Sequence, residues 1–241
     1  MFECSTFMWV AIFALAAMLV NGIGILFVYK NKEAALNTKE YFMCFAAGTL
    51  ISSSLTVAFP HALEKNTGAG LAALAGFTFM FFCNKFIKHK TQNRELAFGI
   101  TALVGIGIHS FIDGIIYSVT FSASTYIGLL AGAGLVAHEF AEGVITFAAL
   151  VSASLNSKKS MFYAFLCAGL TTPIGAFLVY PVVNLFSSSI LGAALGCVSG
   201  VLIYLSAAHL LPAVKEGERG HSYLSFVFGL TLSLLIAYSQ K

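Results

Sequence analysis

Long apolar runs fill most of the chain, and most charged residues lie at the ends of these runs. A helix needs about 20 consecutive apolar residues to cross a bilayer, and open strands are excluded there because their backbone polar groups cannot be satisfied. The runs therefore predict an all-α integral membrane protein with eight transmembrane helices. The predicted spans are 6–29, 41–60, 68–88, 96–119, 126–151, 161–183, 189–211 and 223–239.

Composition supports this class. Hydrophobic residues make up 59% of the 241 residues and charged residues only 10%, which excludes an ordinary soluble globular domain. The segments between the spans are short, so we expect one transmembrane domain over residues 1–241. The first run is preceded by Glu3 and by no Lys or Arg, and it is longer than the apolar region of a signal peptide. We therefore expect it to remain as the first helix.

The basic residues indicate the orientation. Loops after the first, third, fifth and seventh predicted helices contain most of them: Lys30, Lys32, Lys39, Lys85, Lys88, Lys90, Arg94, Lys158, Lys159, Lys215 and Arg219. The opposite side has only Lys65 and Lys241. Because cytoplasmic loops are enriched in Lys and Arg, this bias predicts that both termini lie outside the cytoplasm. The net charge of +3 reflects the same loops, so no nucleic-acid partner is expected.

An internal similarity links the second and seventh predicted helices. An offset of 152 residues aligns GTLISSSLTVAFPHALE with GVLIYLSAAHLLPAVKE, and the matched pairs are Gly48 with Gly200, Pro60 with Pro212 and Glu64 with Glu216. The two helices run in opposite directions, so the alignment predicts an inverted repeat of helices 1–3 and 6–8 around helices 4 and 5, a layout typical of transporters. Chance similarity between aliphatic helices is the alternative.

Two motifs place ionisable residues in the middle of neighbouring spans: HSFIDG at 109–114 and HEFAEG at 138–143. Of the 10 acidic residues, Asp113, Glu139 and Glu142 lie deep in the predicted membrane, and no Lys or Arg lies in these two spans. Uncompensated charges are costly in such surroundings. The carboxylates must therefore take up protons or receive a cation.

Helical spacing favours a cation. His109 and Asp113 are four residues apart, as are His138 and Glu142, so each imidazole and carboxylate project from one helical face. Three-residue spacing adds a second ridge, formed by Ser110 with Asp113 and by Glu139 with Glu142. Imidazoles and carboxylates suit Zn²⁺, and also Fe²⁺, Mn²⁺, Co²⁺ or Cd²⁺. Interhelical hydrogen bonds and a proton relay are the alternatives. The glycine after each acid is expected to let the two helices approach each other closely.

HSFIDG, HEFAEG and the following GLTTPIGA at 169–176 resemble the Zrt-, Irt-like (ZIP) family of divalent-metal transporters, and the resemblance covers all eight spans. It implies a 3+2+3 arrangement of helices, both termini outside, metal bound between helices 4 and 5, and transport toward the cytoplasm. The metal ligands that it carries over are His109, Ser110, Asp113, His138, Glu139 and Glu142.

This chain departs from the family pattern at several positions. Ser110 stands where many members have Asn, Asp113 where they have Glu, and Ile112 and Ala141 where they have Pro. Thr172 stands where some bacterial members have a Glu that serves a second metal. The last departure argues against a binuclear site.

The sequence thus predicts a carrier of divalent metal, with zinc first, and not an enzyme. HEFAE lacks the second His of the HExxH protease motif. The alternatives are an intramembrane metal-dependent hydrolase and a proton-coupled carrier of a small organic solute. We expect no permanently bound cofactor, metal ions and the lipid bilayer as partners, a homodimer as one option for assembly, and a bacterial inner membrane as the location.

Overall fold

The computed structural model describes residues 6–31, 39–123, 125–153, 155–212 and 221–239. Within these residues the chain forms eight helices and no strand, so the predicted all-α class is confirmed and each of the eight predicted spans is helical. The helices are α1 (Thr6–Lys30), α2 (Lys39–Ser53, Ser54–Ala58 and Phe59–Lys65), α3 (Ala69–Thr91), α4 (Arg94–Ala123), α5 (Thr125–Ser152), α6 (Ser157–Leu185), α7 (Ser188–Ile203 and Tyr204–Leu210) and α8 (Ser222–Ser239).

Six of the described helices are long and apolar enough to cross a membrane, namely α1, α2, α3, α4, α6 and α7. A shorter apolar stretch, Ser222–Leu235, lies in α8. Several helices extend beyond the predicted spans because their polar end turns are helical but not apolar. Some residues used in the sequence argument lie outside the described residues: Glu3, Lys32, Lys215, Glu216, Arg219 and Lys241.

The connection between α3 and α4 is very tight. Gln92 ends α3 in the left-handed conformation, with φ of 49°. Asn93 then caps α4, because its Oδ1 accepts a hydrogen bond from the backbone N–H of Leu96 at 2.9 Å. These contacts start the helix that carries the first motif.

Wider π-helical turns interrupt three of the helices. They are Ser54–Ala58 in α2, Phe165–Gly169 in α6 and Tyr204–Leu210 in α7. Each lies shortly before a proline: Pro60, Pro173 or Pro212. Proline lacks the backbone N–H that would bond to the carbonyl four residues earlier, and its ring clashes with that carbonyl. A wider turn upstream accommodates the missing hydrogen bond and the clash. Average hydropathy does not reveal such turns.

The helices form four closely packed pairs: α1 with α5, α4 with α6, α2 with α8, and α3 with α7. In every pair, each helix contributes a glycine at which an added Cβ would overlap a backbone carbonyl oxygen of the other helix. The glycines are Gly24 and Gly143, Gly114 and Gly175, Gly48 and Gly229, and Gly76 and Gly200. The close approach of these helices therefore depends on residues without a side chain.

The glycines after the two acids do not play the role that the sequence suggested. They were expected to let α4 and α5 approach each other. Instead, Gly114 faces the backbone of α6 and Gly143 faces the backbone of α1. The α4–α5 contact forms on a different face, because the motif side chains themselves occupy the space between these two helices.

Large apolar side chains are exposed on the outside of the bundle. Leu71 on α3 is 76% exposed and Phe228 on α8 is 62% exposed. Such exposure would be unfavourable in water but is expected where lipid is the solvent. The buried polar residues Ser110, Asp113 and Glu142 lie where α4 and α5 meet.

Candidate metal centre

The two motifs meet in the middle of α4 and α5. Because each histidine lies one turn before its acid, the facing helices bring two imidazoles and two carboxylates together. One ligand atom from each of His109, Asp113, His138 and Glu142 lies within 4.8 Å of all the others. Four of the six predicted site residues therefore form one cluster.

The contacts in this cluster cross between the helices. His109 Nε2 lies 2.7 Å from Glu142 Oε1, and His138 Nε2 lies 2.9 Å from Asp113 Oδ2. Within each helix, His138 Nε2 lies 3.0 Å from Glu142 Oε1 and His109 Nε2 lies 3.4 Å from Asp113 Oδ2. Each imidazole therefore faces both carboxylates.

The cluster is almost closed to the surroundings. The side chains of Asp113 and Glu142 are 3% and 4% exposed, whereas those of His109 and His138 are 13% and 20% exposed. The sequence from residue 95 to residue 157 contains no Lys or Arg. The compensating positive charge must therefore come from protons on the imidazoles or from a cation.

The spacing of the four atoms suits a small metal ion. Ligand atoms about 2.0–2.1 Å from a tetrahedral Zn²⁺ lie about 3.3 Å from one another. Three of the observed nitrogen–oxygen distances, 2.7, 2.9 and 3.0 Å, are shorter than that separation, and the fourth, 3.4 Å, is close to it. Small side-chain shifts would open the cluster to this geometry, while the present distances suit shared protons. Two neutral imidazoles with two carboxylates also match the charge of one divalent ion.

Ser110 lies directly behind the cluster. Its Oγ is 3.0 Å from Glu142 Oε2 and 3.0 Å from the carbonyl oxygen of Ile106, and it can donate to either. Glu142 thus presents one carboxylate oxygen to the imidazoles and the other to Ser110. The serine is fully buried, so it can fix the rotamer of this carboxylate without competition from water.

Glu139, the remaining predicted site residue, makes its hydrogen bonds elsewhere. Its Oε2 accepts a hydrogen bond from Asn21 Nδ2 at 2.9 Å, and its Oε1 accepts one from Thr172 Oγ1 at 3.1 Å. These donors belong to α1 and α6. Among the described residues, the group of four ligand atoms does not include Glu139.

Asn21 was missed by the sequence argument. A signal was present, because Asn21 is the only amide in the apolar run 6–29, and an amide there needs a buried hydrogen-bond partner. The sequence alone did not indicate which partner. Thr172 was noted only as a departure from the family pattern, and its contact with Glu139 depends on the packing of α6.

Comparisons with known proteins agree with the motifs. A family model described as "ZIP Zinc transporter" matches residues 88–237, which include both motifs. The zinc transporter ZupT of Chlorobium chlorochromatii is 33% identical over 94 residues, covering 37% of this chain and 35% of that protein.

Two further relatives give similar values. The zinc transporter ZupT of Clostridium perfringens is 32% identical over 85 residues, covering 35% of this chain and 28% of that protein. The ZupT of a Neisseria meningitidis strain of serogroup C is 33% identical over 93 residues, covering 38% of this chain and 34% of that protein. The chain thus spans about a third of the length of the curated relatives that it matches. Since the family model covers more than half of the chain, the protein belongs to the ZIP family.

Proposed function

We propose that this protein carries a divalent metal ion, with zinc as the first candidate, across a membrane toward the cytoplasm. The observation that carries the proposal is the cluster of two imidazole nitrogens and two carboxylate oxygens, buried between two apolar helices, with its atoms within 4.8 Å of one another. Membership in a family described as zinc transporters supports a carrier over an enzyme.

We propose that the ion binds to His109, Asp113, His138 and Glu142. Two carboxylates and one divalent cation sum to zero charge, so the loaded site avoids an uncompensated charge in the apolar interior. The nitrogen and oxygen ligands suit Zn²⁺ and leave Fe²⁺, Mn²⁺, Co²⁺ and Cd²⁺ as further cargoes. Ser110 and Glu139 lie around this set and not between its members.

The 3+2+3 inverted repeat is the architecture that we propose. The repeat would relate α1 to α6, α2 to α7, α3 to α8 and α4 to α5. Under this relation the four close helix pairs map onto one another. The α1–α5 pair becomes the α6–α4 pair, and the α2–α8 pair becomes the α7–α3 pair. This mapping is what two inverted halves around a central helix pair would produce.

The glycines at the crossings support the same repeat. Gly24 maps onto Gly175, Gly48 onto Gly200, Gly76 onto Gly229 and Gly114 onto Gly143. The first three mappings need sequence offsets within one residue of the 152 that aligns α2 with α7, and the last matches the spacing of the two motifs. The π-helical turns of α2 and α7 also coincide at that offset. These matched contacts support the repeat over a chance similarity of aliphatic helices.

We further propose a bacterial inner membrane as the location, with both termini outside the cytoplasm. The orientation rests on the Lys and Arg residues at the ends of α3 and α6, which include Lys88, Lys90 and Lys158. The organism names of the relatives support the location. Metal ions and lipid are the partners that the site and the apolar surface require, and a homodimer is the assembly to test first.

Metal flux into proteoliposomes tests the proposed function. The purified protein is reconstituted in vesicles loaded with a zinc indicator, and the initial rate is measured with external Zn²⁺. We expect saturable flux that Asp113→Asn abolishes. Glu64→Gln, which changes a carboxylate at an exposed position, is the control and should leave the flux intact. Flux that is equal in wild type and Asp113→Asn would contradict the proposal. Uptake of an organic solute without metal would favour the other kind of carrier, and metal-dependent hydrolysis of a peptide or ester would favour an enzyme.

A further inference from the structure

Glu139 is the third carboxylate inside the membrane, and it is held by two neutral donors from outside the motif helices. Asn21 of α1 and Thr172 of α6 each donate a hydrogen bond to one of its two oxygens. All three side chains are fully buried, so water does not compete for these contacts. In the apolar interior such hydrogen bonds are stronger than they would be in water.

The glycine that ends each motif leaves the space for one of these donors. A Cβ on Gly143 would overlap the carbonyl oxygen of Asn21 and lie 3.2 Å from its side-chain Oδ1. A Cβ on Gly114 would overlap the carbonyl oxygen of Thr172. Any side chain at these two positions would push α1 or α6 outward and withdraw its donor from Glu139. The two motifs therefore specify where the donors sit as well as where the ligands sit.

The position of Glu139 affects which metal the cluster prefers. With Glu139 bonded to its donors, the ion meets two imidazoles and two carboxylates, and the loaded site is neutral. If Glu139 entered the coordination shell, it would add a hard oxygen ligand and a net negative charge. Additional oxygen ligands favour Mn²⁺ relative to Zn²⁺, which is satisfied by four nitrogen or oxygen ligands.

We propose that Asn21 and Thr172 are positioning residues that hold Glu139 out of the coordination shell of the metal and thereby set the preference of the site for zinc over manganese. This inference rests on the proposed function, because it assumes that the cluster binds the transported ion. It assigns a selectivity role to two residues that lie on neither motif helix.

Isosteric apolar substitutions test the proposal. Asn21→Leu and Thr172→Val each remove one donor while retaining most of the side-chain volume. We expect each to lower the ratio of zinc affinity to manganese affinity by about tenfold, the loss that one buried hydrogen bond corresponds to. Affinities are measured on the purified protein by competition with chelators, and the ratio of initial uptake rates is measured in proteoliposomes.

A double-substitution cycle separates positioning from a structural role. In a Glu139→Gln background, Asn21→Leu should not change the metal ratio further, because the amide cannot supply a charged ligand. Thr172→Ser keeps the hydroxyl donor that Thr172→Val removes, so it should have the wild-type ratio of zinc affinity to manganese affinity. The matched control is Asn84→Leu, which removes another buried amide that donates to Tyr204 at 2.7 Å, and it should leave the ratio unchanged.

The outcomes distinguish this inference from the proposed function. If the wild-type protein neither binds nor carries zinc, the proposed function fails. If the wild type carries zinc but Asn21→Leu and Thr172→Val retain its metal ratio, the inference is wrong and the transport proposal stands. If Asn21→Leu lowered the zinc and manganese affinities in equal proportion, and did so to the same extent in the Glu139→Gln background, its role would be structural. That result would also overturn the inference.

Discussion

Glu142 has one carboxylate oxygen within 3.0 Å of both imidazoles, so Glu142→Gln is the most informative single change. Its Oε1 lies 2.7 Å from His109 Nε2 and 3.0 Å from His138 Nε2. The substitution keeps the shape of the side chain and removes its negative charge. The loaded site then has a net charge of +1, and the ion loses one of two anionic ligands.

The expected loss follows from the number of ligands. A four-ligand protein site contributes about 10–16 kcal/mol of binding free energy for zinc, or about 2.5–4 kcal/mol for each ligand. The loss of one ligand therefore lowers the affinity by about 100- to 1000-fold. We expect Glu142→Gln near the lower figure, because its amide oxygen can still coordinate weakly. The affinity is measured at pH 7.5 by competition with a fluorescent zinc chelator.

Ser110→Ala is the matched comparison, because Ser110 contacts the oxygen of the same carboxylate that faces away from the imidazoles, at 3.0 Å. Loss of a group that orients a ligand costs about 10- to 100-fold in affinity, and we expect about tenfold, since Glu142 keeps both imidazole contacts. If Ser110→Ala were as damaging as Glu142→Gln, or if Glu142→Gln kept wild-type affinity, the assignment of this carboxylate as a direct ligand would be wrong.

Three further results are expected. Zinc affinity should fall as the pH is lowered from about 7.5 to 5.5, because protons compete with the metal for the imidazole nitrogens. Constant affinity over this range would count against imidazole ligation. Cysteines introduced at Ser122 and Ser157, after the native cysteines are replaced, should react with an impermeant thiol reagent from outside and inside respectively, and the reverse pattern would contradict the proposed orientation. Gly143→Ala should lower the unfolding temperature, because the new Cβ meets Asn21 at an overpacking cost of about 1–3 kcal/mol. Gly70→Ala is the control and should not lower it, because its Cβ would meet nothing within 4 Å. Equal melting temperatures for the two variants would contradict the close approach of α1 and α5.

Hydropathy was sufficient to predict the eight helices because the bilayer imposes a length and an apolar composition on each crossing. The convergence of His109 with Asp113, and of His138 with Glu142, was also predictable, because four-residue spacing fixes one helical face. These two features are local in the sequence. They do not depend on which helices become neighbours.

The features that the sequence did not reveal depend on tertiary packing. The donors to Glu139 come from α1 and α6, and nothing in their own sequences identifies a partner on α5. The glycines after the acids were predicted to serve the α4–α5 contact, but they serve contacts with α6 and α1. A small residue indicates a close approach without indicating which helix approaches. The π-helical turns escaped prediction because hydropathy is averaged over a whole span.

An anomalous-scattering map at the zinc edge, from crystals of the zinc-loaded protein, tests the central claim most directly. We expect one zinc peak between α4 and α5, about 2.0–2.2 Å from Nε2 of His109 and His138 and from one carboxylate oxygen each of Asp113 and Glu142. The peak should be absent in Asp113→Asn crystals that are loaded in the same way. A zinc peak elsewhere in a protein that carries zinc, with the space among these four side chains empty, would contradict the account.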